Sequence, residues 1–174
     1  MTIGDLLADA FSRIRGVVHD VTRGLTEEQL AFRPAGQGNS IGWLVWHLTR
    51  IQDDHVAQVA GTDQAWAADG WAGRFALPYR PGDTGYGHNS EQVAACRAPG
   101  ELLTGYHDAV FRHTVSYVTG LTGGDLDRVV DKAWDPPVTL GVRLVSVVSD
   151  DLQHAGQAAY LRGLINQGWD AADI

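Results

Sequence analysis

Ser40-Ile41-Gly42-Trp43-Leu44-Val45-Trp46-His47-Leu48-Thr49-Arg50-Ile51 is the stretch on which the reading of the fold turns. Ser40 stands where a hydroxyl can cap a helix, and Ile41, Leu44, Val45, Leu48 and Ile51 follow at helical spacing. The pattern predicts a helix reaching about Ala60, with His47 set among apolar neighbours. A second stretch, Asp150-Asp151-Leu152-Gln153-His154, lies in another long apolar helix pattern near the end of the chain. Asp150 and His154 are four apart, so a helix projects both from one face. Candidate ligands on two helices, embedded among apolar residues, are how helical bundles build metal sites in their cores.

Working outward, Thr2 and Asp5 suit a helix start, and Ile3, Leu7, Phe11, Ile14, Val18 and Val21 form a helical face running to Gly24. A short helical turn is expected at Thr26–Leu30. A further helix starts with Pro99 in its first turn and runs to Val118. Leu121 to Val130 reads as a turn plus a short helix, followed by a break at Trp134-Asp135-Pro136-Pro137. The last long helix spans Thr139 to Asn166, with Leu140, Val142, Leu144, Val145, Val147, Val148 and Leu152 among its apolar positions. Between the second and third long helices, Thr62 to Asn89 is rich in Gly and Pro but also holds Trp66, Trp71, Phe75, Tyr79 and Tyr86. Long loops in compact domains are functional or disordered, and the aromatics argue against disorder. The expected architecture is an all-α four-helix bundle, one domain over residues 1–174, with a long ordered crossover or lid between helices two and three. Leu25-Thr26 before Ser40-Ile41-Gly42 echoes Leu121-Thr122 before Thr139-Leu140-Gly141, which would make helices two and four partners.

Composition excludes several function classes. A net charge of −8, with Lys132 the only lysine, leaves no basic run to neutralise phosphates, so a nucleic-acid role is not expected. No apolar run approaches the ~20 residues of a membrane helix. The start, Thr2-Ile3-Gly4-Asp5, lacks the basic-then-apolar order of a signal peptide, and the expected location is cytoplasmic. Cys96 is the only cysteine, so no intrachain disulfide can form; its apolar setting reads as an inert thiol.

Two readings fit His47: a core histidine bonded to a nearby acceptor, or a ligand. Ile51 and Asp54 share its stripe, while His55 stands further round the helix as a donor to the site or an outer polar residue. One of Asp150 and Asp151 must point inward, and Asp150 is the one in step with His154. A buried carboxylate needs a cation, a metal or several donors. Arg143 or Arg162 would make the arrangement structural; a metal would make it a site. His88 sits in the crossover, within reach of a site below it. His19, His107 and His113 read as surface or satisfied residues.

The run Ser40–Leu48, the Asp150–His154 run, and Gln157 and Arg162 beyond it resemble the DinB-like four-helix-bundle superfamily, in its mycothiol-dependent transferase and maleylpyruvate isomerase branch. The resemblance covers nearly the whole chain. It implies a divalent metal, zinc or nickel, held by His47 from helix two and by Asp150 and His154 from helix four. Where the superfamily often has a histidine and the isomerase branch a glutamate, this chain has the shorter Asp150. Isomerases of the branch carry a further C-terminal domain, whereas this sequence ends at Ile174, so thiol transfer is implied more than isomerisation.

The expected chemistry is a metal-dependent transfer in which a low-molecular-weight thiol, mycothiol by resemblance, attacks a small electrophile. Arg50, Arg143, Arg162 and Trp46 are the expected thiol or substrate contacts, with Trp46, Trp71 and Tyr86 as the apolar wall. Two other readings stay open: a hydrolase using metal-bound water, and a non-catalytic metal-binding stress protein. Pairing into a homodimer is a further expectation, from the rich aromatic content.

Overall fold

The computed structural model describes residues 1–169. Four long helices carry the architecture: α1 (Ile3–Thr22), α3 (Ile41–Ala60), α7 (Gly100–Val118) and α8 (Leu140–Asn166). Short helices α2 (Glu27–Leu30), α4 (Ala65–Ala68), α5 (Trp71–Phe75) and α6 (Ser90–Ala95) occupy the connections. Each long helix starts as its sequence dictates. Thr2 and Asp5 form a reciprocal capping box on α1, Ser40 Oγ accepts the Trp43 amide at 3.1 Å, and Thr139 caps α8. Pro99 takes the cap position of α7 rather than its first turn.

The long helices close into a ring in which α3 packs most against α8, α1 against α7, α3 also against α7, and α1 also against α8. Helices α1 and α3 are one diagonal of the bundle, α7 and α8 the other. The partnership of the second and fourth long helices is thus direct. The expected all-α four-helix bundle is what forms, and Phe11, Ile14, Val18, Leu44, Leu48, Leu103, Val110, Leu144 and Val147 fill its centre.

Two local expectations are corrected. The Trp134–Pro137 break is the tip of a small antiparallel hairpin, β1 (Val129–Asp131) with β2 (Val138–Thr139). Strands of two and three residues leave no alternation long enough to read. On α8, Val142, Val145 and Leu152 face solvent; the inner stripe is Leu140, Leu144, Val147, Asp151, Ala155, Ala158, Leu161 and Ile165. Among the described residues, no helix is long and apolar enough to cross a membrane.

The crossover from α3 to α7 is ordered, and α3 itself fastens it. The Asp53 carboxylate accepts the amides of Ala65 at 2.9 Å and Trp66 at 2.8 Å, and the Tyr106 hydroxyl at 2.8 Å. It thereby supplies the cap that α4 lacks in its own sequence. Arg50, fully buried, donates to the Gln64 side chain at 2.9 Å and to the Asp83 carbonyl at 3.2 Å, and its guanidinium lies 5.1 Å from the Trp66 ring. Trp46, Trp66, Phe75, Tyr79 and Tyr106 pack ring against ring beneath the crossover. Of the aromatics of residues 62–89, Trp66, Trp71, Phe75 and Tyr79 thus belong to the core or pack against it.

Candidate metal centre

Helix α3 turns one stripe, Trp43, His47 and Arg50, toward the crossover, and all three donate into a single short turn. Trp43 Nε1–H reaches His88 Nδ1 at 3.2 Å, His47 Nδ1 meets the Thr84 carbonyl at 2.6 Å, and Arg50 Nε–H reaches the Asp83 carbonyl. The carbonyl can only accept, so His47 carries its proton on Nδ1 and presents Nε2 as a free lone pair. The Trp43 ring stacks on the His47 imidazole, with centroids 4.6 Å apart and planes 14° apart. Burial, the leading cause, pushes the His47 pKa below its ordinary value, which keeps the ring neutral and able to ligate.

The turn reaches this close because of Gly85. Its φ is +96°, and a Cβ there would stand 2.6 Å from His47 Nδ1 and 3.1 Å from both Trp43 and Trp46. No side chain fits that space.

Across from His47, α8 brings His154 and Asp150. The His47 and His154 rings lie 4.8 Å apart at 69°, and His154 Nδ1 is 3.2 Å from Gln157 Oε1. That contact leaves His154 Nε2 free, 3.7 Å from Asp150 Oδ1. Asp150 Oδ2 is buried with no hydrogen-bond partner among the described residues. One donor atom from each of His47, Asp150 and His154 lies within 4.8 Å of the other two. Two imidazole lone pairs and an orphaned carboxylate oxygen converging on one point suit a divalent cation of borderline softness, and the three residues fit one.

The other expected site residues fall elsewhere or at the edge. Asp151, not Asp150, is the one that points inward: it is 0% exposed on the inner stripe, and neither oxygen has a partner among the described residues. Successive residues stand about 100° apart, so Asp150 turns toward α3 when Asp151 enters the core. Burial first, and then Asp150, push the Asp151 pKa well above the ordinary carboxyl range. Arg50 is spent on the crossover. Arg162 donates to the Arg23 carbonyl at 2.8 Å, toward the end of the bundle formed by the close of α1. Arg143, paired with Asp131 at 3.0 Å, stays near the site, since it helps to depress the His55 pKa. Trp46 is fully buried and stacks on His88, and Trp71 packs against Tyr106 and Gly105, so neither forms an open wall. Tyr86, at the tip of the turn, is 91% exposed. With Ile51, His55, Ser146, Ser149, Asp150 and Gln153 it lines a groove of about 370 Å³ that reaches the triad at Asp150. His88 packs against Trp43, Trp46 and Tyr79 and does not line the groove. His107 is a fully buried core residue bonded to Thr49 at 3.0 Å; His19 shares Asp108 with Arg15, and His113 is exposed.

Sequence reading missed the Thr84–Gly85 turn. Its functional atom is a backbone carbonyl, which leaves no side-chain signal; the only trace is the Gly85-Tyr86-Gly87 spacing.

A four-helix bundle with two histidines and an aspartate converging between its second and fourth long helices, roofed by a glycine turn, defines a helical protein with a candidate cation centre. The family model described as mycothiol-S-transferase matches residues 6–167, and the chain belongs to that DinB-like family. A solved crystal structure of a conserved protein from Enterococcus faecalis is similar, at 32% identity and a TM-score of 0.88, covering 96% of this chain and 99% of that one. No curated protein matches the chain.

Proposed function

We propose that the chain is a metal-dependent thiol transferase that joins a low-molecular-weight thiol, mycothiol by its family, to a small electrophile. The observation that carries this reading is the convergence of the free donor atoms of His47, Asp150 and His154, with Asp150 also lining an open groove. A divalent cation such as zinc or nickel bound there would lower the pKa of the thiol and fix the position of its sulfur. The residues supply the rest. The Thr84 carbonyl holds the His47 ring in one tautomer and orientation, and Trp43 shields its face from water.

The reaction forms one sulfur–carbon bond, and the thiol proton must leave. His55 lines the groove, and burial, assisted by Arg143, holds its pKa below the ordinary value. It is therefore an unprotonated base beside the site, suited to take that proton and return it to the product or leaving group. Arg143, paired with Asp131 through one Nη, keeps its Nε–H without a partner among the described residues, and that donor would serve an anionic substrate group. In this reading the whole chain, 1–174, works as one unit in the cytoplasm.

The test is elemental mass spectrometry on protein purified without a metal-affinity tag, beside His154→Ala, followed by turnover of an electrophile panel with and without thiol. Near-stoichiometric divalent metal that is lost in His154→Ala, with thiol-dependent turnover, supports the reading. Protein that stays metal-free after incubation with zinc and nickel overturns the centre, and turnover without thiol makes the protein a hydrolase.

A further inference from the structure

Helices α3 and α7 run side by side in the same direction, since Thr49 meets His107 and the Val59 carbonyl meets Tyr117. Toward their carboxyl ends they part around a cleft of about 330 Å³, and none of the triad lines it. Helix α3 turns Asp53, Val56, Ala57 and Ala60 into the cleft, and α7 turns Val110, His113, Thr114 and Tyr117. Each set has the spacing of a single helix face. The gap stays open because Ala57, Ala60 and Thr114 are too short to fill it. Val56, Ala57 and Val110 are buried and make an apolar floor, while Thr62 and Asp63, where the crossover begins, stand at the rim.

The hydrogen-bond inventory of the cleft says what kind of guest fits. The Asp53 carboxylate, 3% exposed, accepts from the crossover and from Tyr106 and has no proton to offer a guest. Thr114 gives its hydroxyl proton to the Val110 carbonyl at 2.9 Å and accepts from Gln52 at 2.7 Å. Tyr117 gives its own to the Val59 carbonyl at 3.2 Å. Beside Thr114, Gln52 is fully buried, and its Oε1 has no partner among the described residues. The buried polar atoms at this place can therefore only accept. The lining also holds two carboxylates, Asp53 and Asp63, and no lysine or arginine. Arg50, 3.6 Å from Asp53, answers one of the two; Asp63 is exposed and enters no ion pair among the described residues. A complementary guest brings donors without acceptors, one positive charge and an apolar body. A primary ammonium has three N–H donors and no lone pair.

We propose that the cleft between α3 and α7 binds a small organic primary ammonium, with its apolar body on Val56, Ala57 and Val110 and its head between Asp53 and Asp63. Asp53 already fastens the start of the crossover through Ala65 and Trp66. A guest joining Asp53 to Asp63 adds a second tie between α3 and that segment. The site is separate from the triad and holds whether or not the centre binds metal.

The test uses three probes of one shape and different charge: cyclohexylammonium, cyclohexanol and cyclohexanecarboxylate. Each is titrated into the full chain, with amide chemical shifts as the readout. Cyclohexylammonium is expected to give saturable shifts at the cleft residues of α3 and α7, at an affinity at least about tenfold above that of cyclohexanol. Cyclohexanecarboxylate is expected to give none. Asp63→Asn, at an exposed position that leaves the fold intact, should weaken the ammonium about two- to fivefold and leave cyclohexanol unchanged. Ala60→Phe fills the cleft and should abolish binding of both, with circular dichroism as the check on folding. Bound ammonium should also slow proteolysis near residues 62–70. Absence of saturable shifts with wild type overturns the site, and saturable shifts confined to the groove at Asp150 overturn its place. Cyclohexanol binding as tightly as the ammonium overturns the recognition of charge. An ammonium affinity unchanged by Asp63→Asn overturns the paired carboxylates, and unchanged proteolysis at saturation overturns the tie to the crossover.

Discussion

Gly85→Ala tests whether the crossover turn is what prepares His47. Two costs can be worked from the structure. The first is conformational: at φ +96° an L-residue is strained by about 1–2 kcal/mol. The second is steric. The new Cβ would stand 2.6 Å from His47 Nδ1 and 3.1 Å from two indole rings that are themselves buried in the core, so the turn must retreat. Retreat stretches the 2.6 Å contact between His47 Nδ1–H and the Thr84 carbonyl, and an unsatisfied buried donor costs about 1–3 kcal/mol. The total is roughly 3 kcal/mol, or about 6–12 °C in Tm for a chain of this size. Because Thr84 orients a proposed ligand, zinc affinity should fall about 10–100-fold. Gly87→Ala is the control: its φ is +74°, yet nothing lies within 4 Å of its Cβ position. It should lose about 1 kcal/mol and no zinc affinity. Thermal unfolding of chelator-treated protein and competitive zinc titration measure both effects. Equal losses in the two variants, with zinc affinity unchanged in both, would refute the idea that Gly85 holds His47 in place.

Two further predictions concern the core. His107 is fully buried, and burial pushes its pKa from 6.5 to about 4. The unfolded chain therefore binds a proton at a pH where the folded one does not, so stability falls as pH drops from 6.5 toward 4. The contribution between pH 7 and pH 4.5 is about 2–3 kcal/mol; denaturant unfolding at both values should show His107→Gln losing less stability than wild type over that interval, and equal losses would count against it. Asp53→Ala removes the acceptor for Ala65, Trp66 and Tyr106 and leaves Arg50, 3.6 Å away and fully buried, without its counter-charge. The expected cost is about 3–5 kcal/mol, with limited proteolysis opening first near residues 62–70; cleavage elsewhere would mean that Asp53 does not hold the crossover.

The extent to which the sequence disclosed this protein follows from the kind of atom involved. Helix α3 was legible because Ser40 caps it and its apolar spacing is regular, and His47 was legible as an apolar-flanked histidine. The crossover was legible as ordered because exposed aromatics would be costly. What it does was not, since the contact that orients His47 and one of those that hold Arg50 run through the carbonyls of Thr84 and Asp83. Periodicity reports side chains, and these groups are common to every residue. Arg50 misled for the related reason that a buried guanidinium and a substrate anchor are the same residue in a sequence; only the acceptors supplied by Asp83, Gln64 and Tyr106 distinguish them.

Helix α8 posed a harder problem because it is apolar on two faces and bears a polar site between them. With Val142, Val145, Leu152 and Tyr160 outside and Leu144, Val147, Ala155 and Leu161 inside, the hydrophobic pattern cannot fix the rotation of the helix. The adjacent aspartates decide it, since residues about 100° apart cannot both enter the core and both face α3. The core takes Asp151, whose pKa burial raises well above the ordinary carboxyl range, and the centre takes Asp150. This division sets the charge available to the proposed chemistry. Two neutral imidazoles and one carboxylate bring a single negative charge against the two positive charges of a dication. With a dication bound, the centre would keep a net positive charge, which would favour the anionic form of a thiol; a second ionised carboxylate from α8 would cancel it.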